Sequence, residues 1–154
     1  MKFFDYAITF REMPFSNSGS LTFYTGGQCK HHCNGCSWGE KKPEGEEMPL
    51  EVFAGIVKKK RKHIGAVCFL GEGENYQELI PYLTTCNYYG MSTMLYTGGS
   101  FDDFDFSFLQ MLDYIKVGEW QGKTLYEAGT NQKVYKLCEG LIEKEIKFYE
   151  DYGF

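Results

Sequence analysis

The run Ala66-Val67-Cys68-Phe69-Leu70, bounded by Gly65 and Gly71, is the strongest constraint on how this chain folds. A strand with one face in water alternates apolar and polar residues. An unbroken apolar run of this length is the pattern of a strand covered on both faces, as in a parallel sheet. Such a sheet needs crossover helices, and helical patterns lie on either side. Upstream, Pro49 suits a first helical position, and Leu50, Phe53, Ala54 and Val57 recur at helical spacing. Glu46, Glu47 and Glu51 suit the positive end of the helix dipole; the residues from Lys58 to His63 crowd its negative end, and Gly65 supplies the stop. Downstream, Asn75 with Glu78 resembles a capping box, and Leu79, Ile80 and Leu83 form an apolar stripe. Pro81 means that this helix either kinks or begins near residue 81.

Glycine cuts the rest of the chain into further strands. Residues 3–10 are aromatic-rich and strand-like, 21–25 stop at Gly26-Gly27, 91–96 stop at Thr97-Gly98-Gly99, and 113–117 stop at Gly118. A short amphipathic piece covers 106–112, residues 133–137 read as extended, and 141–149 fit helix or strand equally. Strand alternating with helix is the signature of βαβ units, so we expect a single α/β domain spanning residues 1–154. In such sheets the loops leaving the carboxyl ends of the strands open on one face, where ligands bind. Here those loops are 26–36, 71–74, 97–100 and 118–122.

Composition narrows the function classes. The 154 residues carry 16 basic and 21 acidic side chains, a net charge of −5, which gives no electrostatic footprint for nucleic acid or an anionic membrane. No stretch approaches the ~18 apolar residues of a membrane span. Asp5 interrupts the N-terminal apolar residues at once, so no secretory signal is expected and a cytoplasmic address follows. In that compartment thiols stay reduced, and clustered cysteines mean metal or catalysis more often than disulfides.

Three of the six cysteines cluster, in Cys29-Lys30-His31-His32-Cys33-Asn34-Gly35-Cys36, on the loop that leaves the strand over 21–25. This C-x3-C-x2-C array offers three thiolates, one short of a closed four-ligand site. In an iron–sulfur cube the fourth iron is then open to a substrate. Zinc instead demands a fourth ligand, and His31 or His32 is the obvious candidate. Three unrelated thiols in a turn is the blandest reading, although structural cysteines usually sit in apolar surroundings.

The array resembles that of the radical S-adenosylmethionine enzymes. Its surroundings resemble one branch, the anaerobic ribonucleoside-triphosphate reductase-activating proteins. The matching segments are Leu21-Thr22-Phe23-Tyr24-Thr25-Gly26-Gly27-Gln28-Cys29 and Cys33-Asn34-Gly35-Cys36-Ser37-Trp38, then Phe69-Leu70-Gly71-Glu72-Gly73-Glu74 and Leu95-Tyr96-Thr97-Gly98. Asp113-Tyr114-Ile115-Lys116-Val117-Gly118-Glu119-Trp120 and Thr130-Asn131-Gln132-Lys133-Val134-Tyr135 complete the order. The resemblance implies a partial parallel (βα) barrel. It implies that Cys29, Cys33 and Cys36 hold one [4Fe–4S] cluster, and that Gly35, Cys36, Ser37, Gly71, Glu72, Gly73 and Glu74 contact S-adenosylmethionine. No catalytic residue beyond the cluster ligands is implied. The activity would be that of an oxidoreductase that makes a 5′-deoxyadenosyl radical and installs a glycyl radical on the large subunit of anaerobic ribonucleoside-triphosphate reductase. A one-electron donor such as flavodoxin would reduce it. A protein substrate also agrees with the short chain, which leaves little for a second, substrate-binding domain.

The family usually shows Gly-Gly and then an acidic residue where this chain reads Gly71-Glu72-Gly73-Glu74, so the acidic loop is kept, either shifted by one residue or with Glu72 in place of a glycine. Gly35 stands where many superfamily members place an aromatic residue against adenine; Trp38 reads either as an alternative stacking group or as an ordinary exposed or core tryptophan. Two other readings remain: radical chemistry on a small molecule, as in deazapurine biosynthesis, and a zinc-binding module without catalysis.

Elsewhere the bland readings are preferred. His31 and His32 read as solvated loop residues, and Lys58-Lys59-Lys60-Arg61-Lys62 as a solvated helix end. Cys68, Cys86 and Cys138 read as small core residues. Asp102, Asp103 and Asp105 lack the alternation and terminal Glu of a calcium loop and read as a solvated acidic segment. Tyr114 and Trp120 fit core or partner surface equally.

Overall fold

The structure is a computed structural model that describes residues 1–12, 14–27, 31 and 43–147. The strands are β1 (Lys2–Thr9), β2 (Ser20–Thr25), β3 (Glu46–Glu47), β4 (Ala66–Leu70), β5 (Ser92–Tyr96), β6 (Tyr114–Val117), β7 (Lys133–Cys138) and β8 (Leu141–Ile146). The helices are α1 (Leu50–Lys60), α2 (Ile80–Tyr88) and the one-turn α3 (Phe106–Leu109). All described strands join one sheet in the order β3-β1-β2-β4-β5-β6-β7-β8. Pairing is parallel from β2 through β4 and β5 to β6, and antiparallel on both flanks.

The α/β expectation is met, with one qualification: the sheet is mixed, mostly strand, and shows no barrel among the described residues. The flanks are antiparallel because their connections are not helical crossovers. β7 and β8 are joined by Glu139-Gly140, both at positive φ (51° and 81°), the geometry of a tight hairpin turn. That hairpin settles the 141–149 segment as strand up to Ile146, and residues beyond 147 lie outside the described ones.

Helices cover one face. Phe53 and Val57 of α1, Tyr82, Leu83 and Cys86 of α2, and Phe108 and Leu109 of α3 bury against Leu21, Phe23, Val67, Phe69, Leu95 and Ile115. The opposite face collects Ala66, Cys68, Met94, Val134 and Ile146 under Phe15 and Leu125, and among the described residues no helix contributes to this cluster. β4 is thus sandwiched as its sequence predicts, with Val67, Cys68 and Phe69 all at 0% exposure. The helix-free face also buries polar groups. Thr9, Ser20 and Thr22 hydroxyls bond one another (Thr9–Thr22 2.8 Å, Ser20–Thr22 3.0 Å), and Thr9 donates to the buried Glu12 carboxylate. A buried carboxylate is tolerable only when hydrogen-bonded in this way.

Several local expectations are refined. Pro49 precedes α1 as its N-cap, and Glu46 and Glu47 pair with β1 instead of decorating the helix dipole. Asn75 caps a short 3-10 turn, accepting from the Gln77 amide at 3.1 Å, and α2 starts afresh at Ile80 with Pro81 in its first turn. The missing amide of Pro81 therefore falls where no intrahelical bond is needed. The basic segment ends α1 in solvent, with Arg61 stacked 4.9 Å from the Tyr89 ring centroid. Cys68 and Cys86 are core residues, and burial pushes both thiols up. Cys138 is exposed, a correction that follows from its place at the β7–β8 turn. Tyr114 packs edge-on against Phe15 at 5.3 Å, and Trp120 is partly buried.

Asp103 and Asp105 serve as caps. Asp103 accepts from the Ser100 amide at 2.8 Å. The Ser107 hydroxyl, the Phe108 amide and the Tyr76 hydroxyl donate to Asp105 and hold its carboxyl down at about 2. A carboxylate with a lowered folded pKa stabilises the fold above its ordinary value and loses that contribution as the pH falls through the folded one. Asp105→Ala should therefore lower Tm at neutral pH. Thermal melts should show the difference from wild type closing as the pH falls from about 4 toward 2.

Candidate functional site

The parallel strands β2, β4, β5 and β6 point the same way, so the loops after Thr25, Leu70, Tyr96 and Val117 lie along one edge of the sheet. Backbone and side-chain bonds stitch these loops together. Thr25 Oγ1 donates to Gly71 O (2.7 Å), and the Gly71 amide donates to Tyr96 O (2.9 Å). The Thr97 amide donates to Lys116 O, and the Gly118 amide to Gly99 O, both at 2.9 Å.

The acidic loop splits its two carboxylates. Gly71 and Gly73 have φ of 104° and 69°, left-handed values that free the chain to turn sharply at either side of Glu72. Glu72 turns inward, with its side chain 4% exposed, whereas Glu74 is exposed. One partner of Glu72 is His31 of the cysteine array, whose Nε2 donates to Glu72 Oε1 at 2.6 Å. The imidazole is only 11% exposed, so the expectation of a solvated His31 is corrected. Its ring rests on Gly98-Gly99, where an added Cβ would stand 3.0 Å from His31 Cγ and Cδ2 at residue 98 and 3.2 Å from Cε1 at residue 99. Two glycines are what make room for the ring.

Of the residues expected at the site, Gly71, Glu72, Gly73 and Glu74 stand at the carboxyl edge of the parallel strands. Cys29, Cys33, Gly35, Cys36 and Ser37, together with His32 and Trp38, lie outside the described residues. Among the described residues no three His, Cys, Asp or Glu side chains converge as a metal site.

Two groups were not anticipated. Lys116 belongs to a strand otherwise built of Tyr, Ile and Val, and its ammonium stays buried on the helix-free face, donating to Thr97 O (3.2 Å) and Gly118 O (3.1 Å). Its one sequence signal is a cation inside an apolar strand, which normally marks a charge with fixed partners. Asn131 donates to Glu119 O at 2.9 Å, while its Oδ1 is buried without a hydrogen-bond partner among the described residues. Its backbone carbonyl also presses on Gly118, where a Cβ would lie 2.7 Å away.

The edge therefore presents a nearly buried carboxylate bonded to His31 after β4, and a buried cation bonded to the loops after β5 and β6. Compared with family models, with curated proteins and with solved structures, the chain gives no match in any of the three.

Proposed function

We propose that the protein is a radical S-adenosylmethionine enzyme that activates anaerobic ribonucleoside-triphosphate reductase by installing a glycyl radical on its large subunit. The observation that supports this best is the pairing of His31, inside the C-x3-C-x2-C array, with Glu72 of the acidic loop. It sets one residue of the segment that the resemblance assigns to the cluster against the loop that it assigns to S-adenosylmethionine. On this reading the parallel strands are the parallel part of a partial (βα) barrel, and the helix-free face is its interior.

The donor set fits the proposed group. Three thiolates on one loop suit a cluster with one open iron, and a nearby carboxylate loop suits the amino end of S-adenosylmethionine. Bound there, a [4Fe–4S] cluster would supply the electron that splits S-adenosylmethionine into methionine and a 5′-deoxyadenosyl radical able to take a hydrogen atom from glycine. The chain's own residues bind and orient. Cys29, Cys33 and Cys36 would be the ligands; Gly35, Ser37 and the Gly71-Glu72-Gly73-Glu74 loop would hold the substrate. The large reductase subunit is the proposed protein substrate, and a donor such as flavodoxin the source of electrons.

Anaerobic reconstitution with iron and sulfide should give a brown protein whose reduced paramagnetic resonance signal changes when S-adenosylmethionine is added. Methionine and 5′-deoxyadenosine should accumulate, and a glycyl radical signal should appear on mixing with the large subunit. A colourless protein holding one zinc would overturn the reading. Cleavage without a glycyl radical would move it to a small-molecule substrate.

A further inference from the structure

His31 does more in this fold than occupy the spacer between two cysteines. Its side chain is nearly buried, its Nε2 is 2.6 Å from a carboxylate that is itself nearly buried, and its ring fills space kept open by two consecutive glycines. Through these contacts one residue after β2 touches the loop after β4 and the loop after β5. The latter is bonded on to Gly118 after β6. The ring is thus held between the Glu72 carboxylate and the Gly98-Gly99 segment.

We propose that His31 is a positioning residue for substrate binding: it orients the Glu72 carboxylate, so that the acidic loop is preorganised for the amino end of S-adenosylmethionine. This rests on the function proposed above and adds a residue to it. The physical ground is that the bonds of Gly71 to Thr25 and Tyr96 hold the loop's backbone but leave the Glu72 side-chain torsions to be set by its own contacts, of which the bond to His31 is one. An orienting hydrogen bond from outside the loop removes that freedom before the ligand arrives, and the ligand then binds without an ordering cost. Outer partners of this kind typically carry a 10–100-fold effect on affinity or activity.

The test compares wild type, His31→Ala, His31→Gln and Gly98→Ala after identical reconstitution. Glutamine can place an amide N–H close to where Nε2 stands; a methyl at residue 98 would sit 3.0 Å from the ring and push it aside. Iron content and the melting curve report cluster and fold, and isothermal titration reports affinity for S-adenosylmethionine. We expect iron content near wild type in every variant, a dissociation constant raised about 10–100-fold in His31→Ala and Gly98→Ala, and substantial recovery in His31→Gln. A second readout needs no cofactor. In the purified chain, the Tm shifts of His31→Ala and Glu72→Gln should be non-additive, because the two side chains share one bond.

Wild-type affinity in His31→Ala would overturn the proposal, as would equal loss in His31→Ala and His31→Gln, or additive Tm shifts. Loss of iron in His31→Ala would overturn it differently, by making the imidazole a determinant of the cluster. If wild type itself bound no S-adenosylmethionine, the function proposed above would fail first, and this inference with it.

Discussion

On the proposed function, Cys29→Ala is expected to give a folded protein that holds no intact cluster and cleaves S-adenosylmethionine at no measurable rate. Both halves of this outcome have a physical basis. The core on each face of the sheet is assembled from residues on either side of the cysteine loop: Phe23, Phe53, Phe69, Leu95 and Ile115 on one face, Cys68, Met94 and Val134 on the other. Two remaining thiolates, by contrast, cannot hold a cluster that needs three protein ligands and leaves one iron for substrate. Circular dichroism, iron analysis and product chromatography on one preparation separate the two effects. A structural zinc module predicts the reverse, because there the metal's binding energy is folding energy and losing a ligand unfolds the domain. An unfolded Cys29→Ala would therefore count heavily against the enzyme.

The second large effect is on stability. Phe23→Ala should lower the unfolding free energy by about 3–5 kcal/mol, a large share of the ~5–15 kcal/mol typical of a domain. Phe23 has no exposed surface and stands at the centre of an aromatic cluster. Its ring centroid lies 4.8 Å from Phe53, 5.4 Å from both Phe3 and Tyr6, and 5.8 Å from Phe69. Removing it leaves a cavity that four rigid rings cannot collapse to fill, and each lost ring pair carries about 0.5–1.5 kcal/mol beyond its area. Urea titration should show the midpoint falling with little change in slope, and Phe23→Leu should recover part of the loss. A loss below ~1 kcal/mol would mean that the cluster repacks freely, contrary to its geometry. This cluster also gives the 18% aromatic content a task, since it lines the seam between the sheet and α1 and α2.

How much could be read ahead of the fold is clearest element by element. The strands β2, β4, β5 and β6 were legible because each is a short apolar run closed by a glycine, and that pattern is local. The first helix was legible too, through its apolar spacing and its charged ends. β8 was not, because alternating Glu and Lys satisfy a period of 2 and a period of 3.6 about equally; pairing with β7 decided between them. Glu46 and Glu47 look like the start of a helix, and only their register with Lys2 and Phe3 makes them a strand.

The site divides the same way. Sequence alone determined which loops leave the carboxyl ends of the parallel strands and that one of them carries three cysteines at a metal-binding spacing. Tertiary structure decided that His31 is buried against Glu72 and Gly98, that Glu72 and not Glu74 turns inward, and that Lys116 hides its ammonium among carbonyls. The reason is separation along the chain. His31 and Glu72 stand 41 residues apart, and a loop histidine carries no local pattern that announces a distant carboxylate. Periodicity tells which face of an element is apolar; only the pairing of elements tells which polar groups meet.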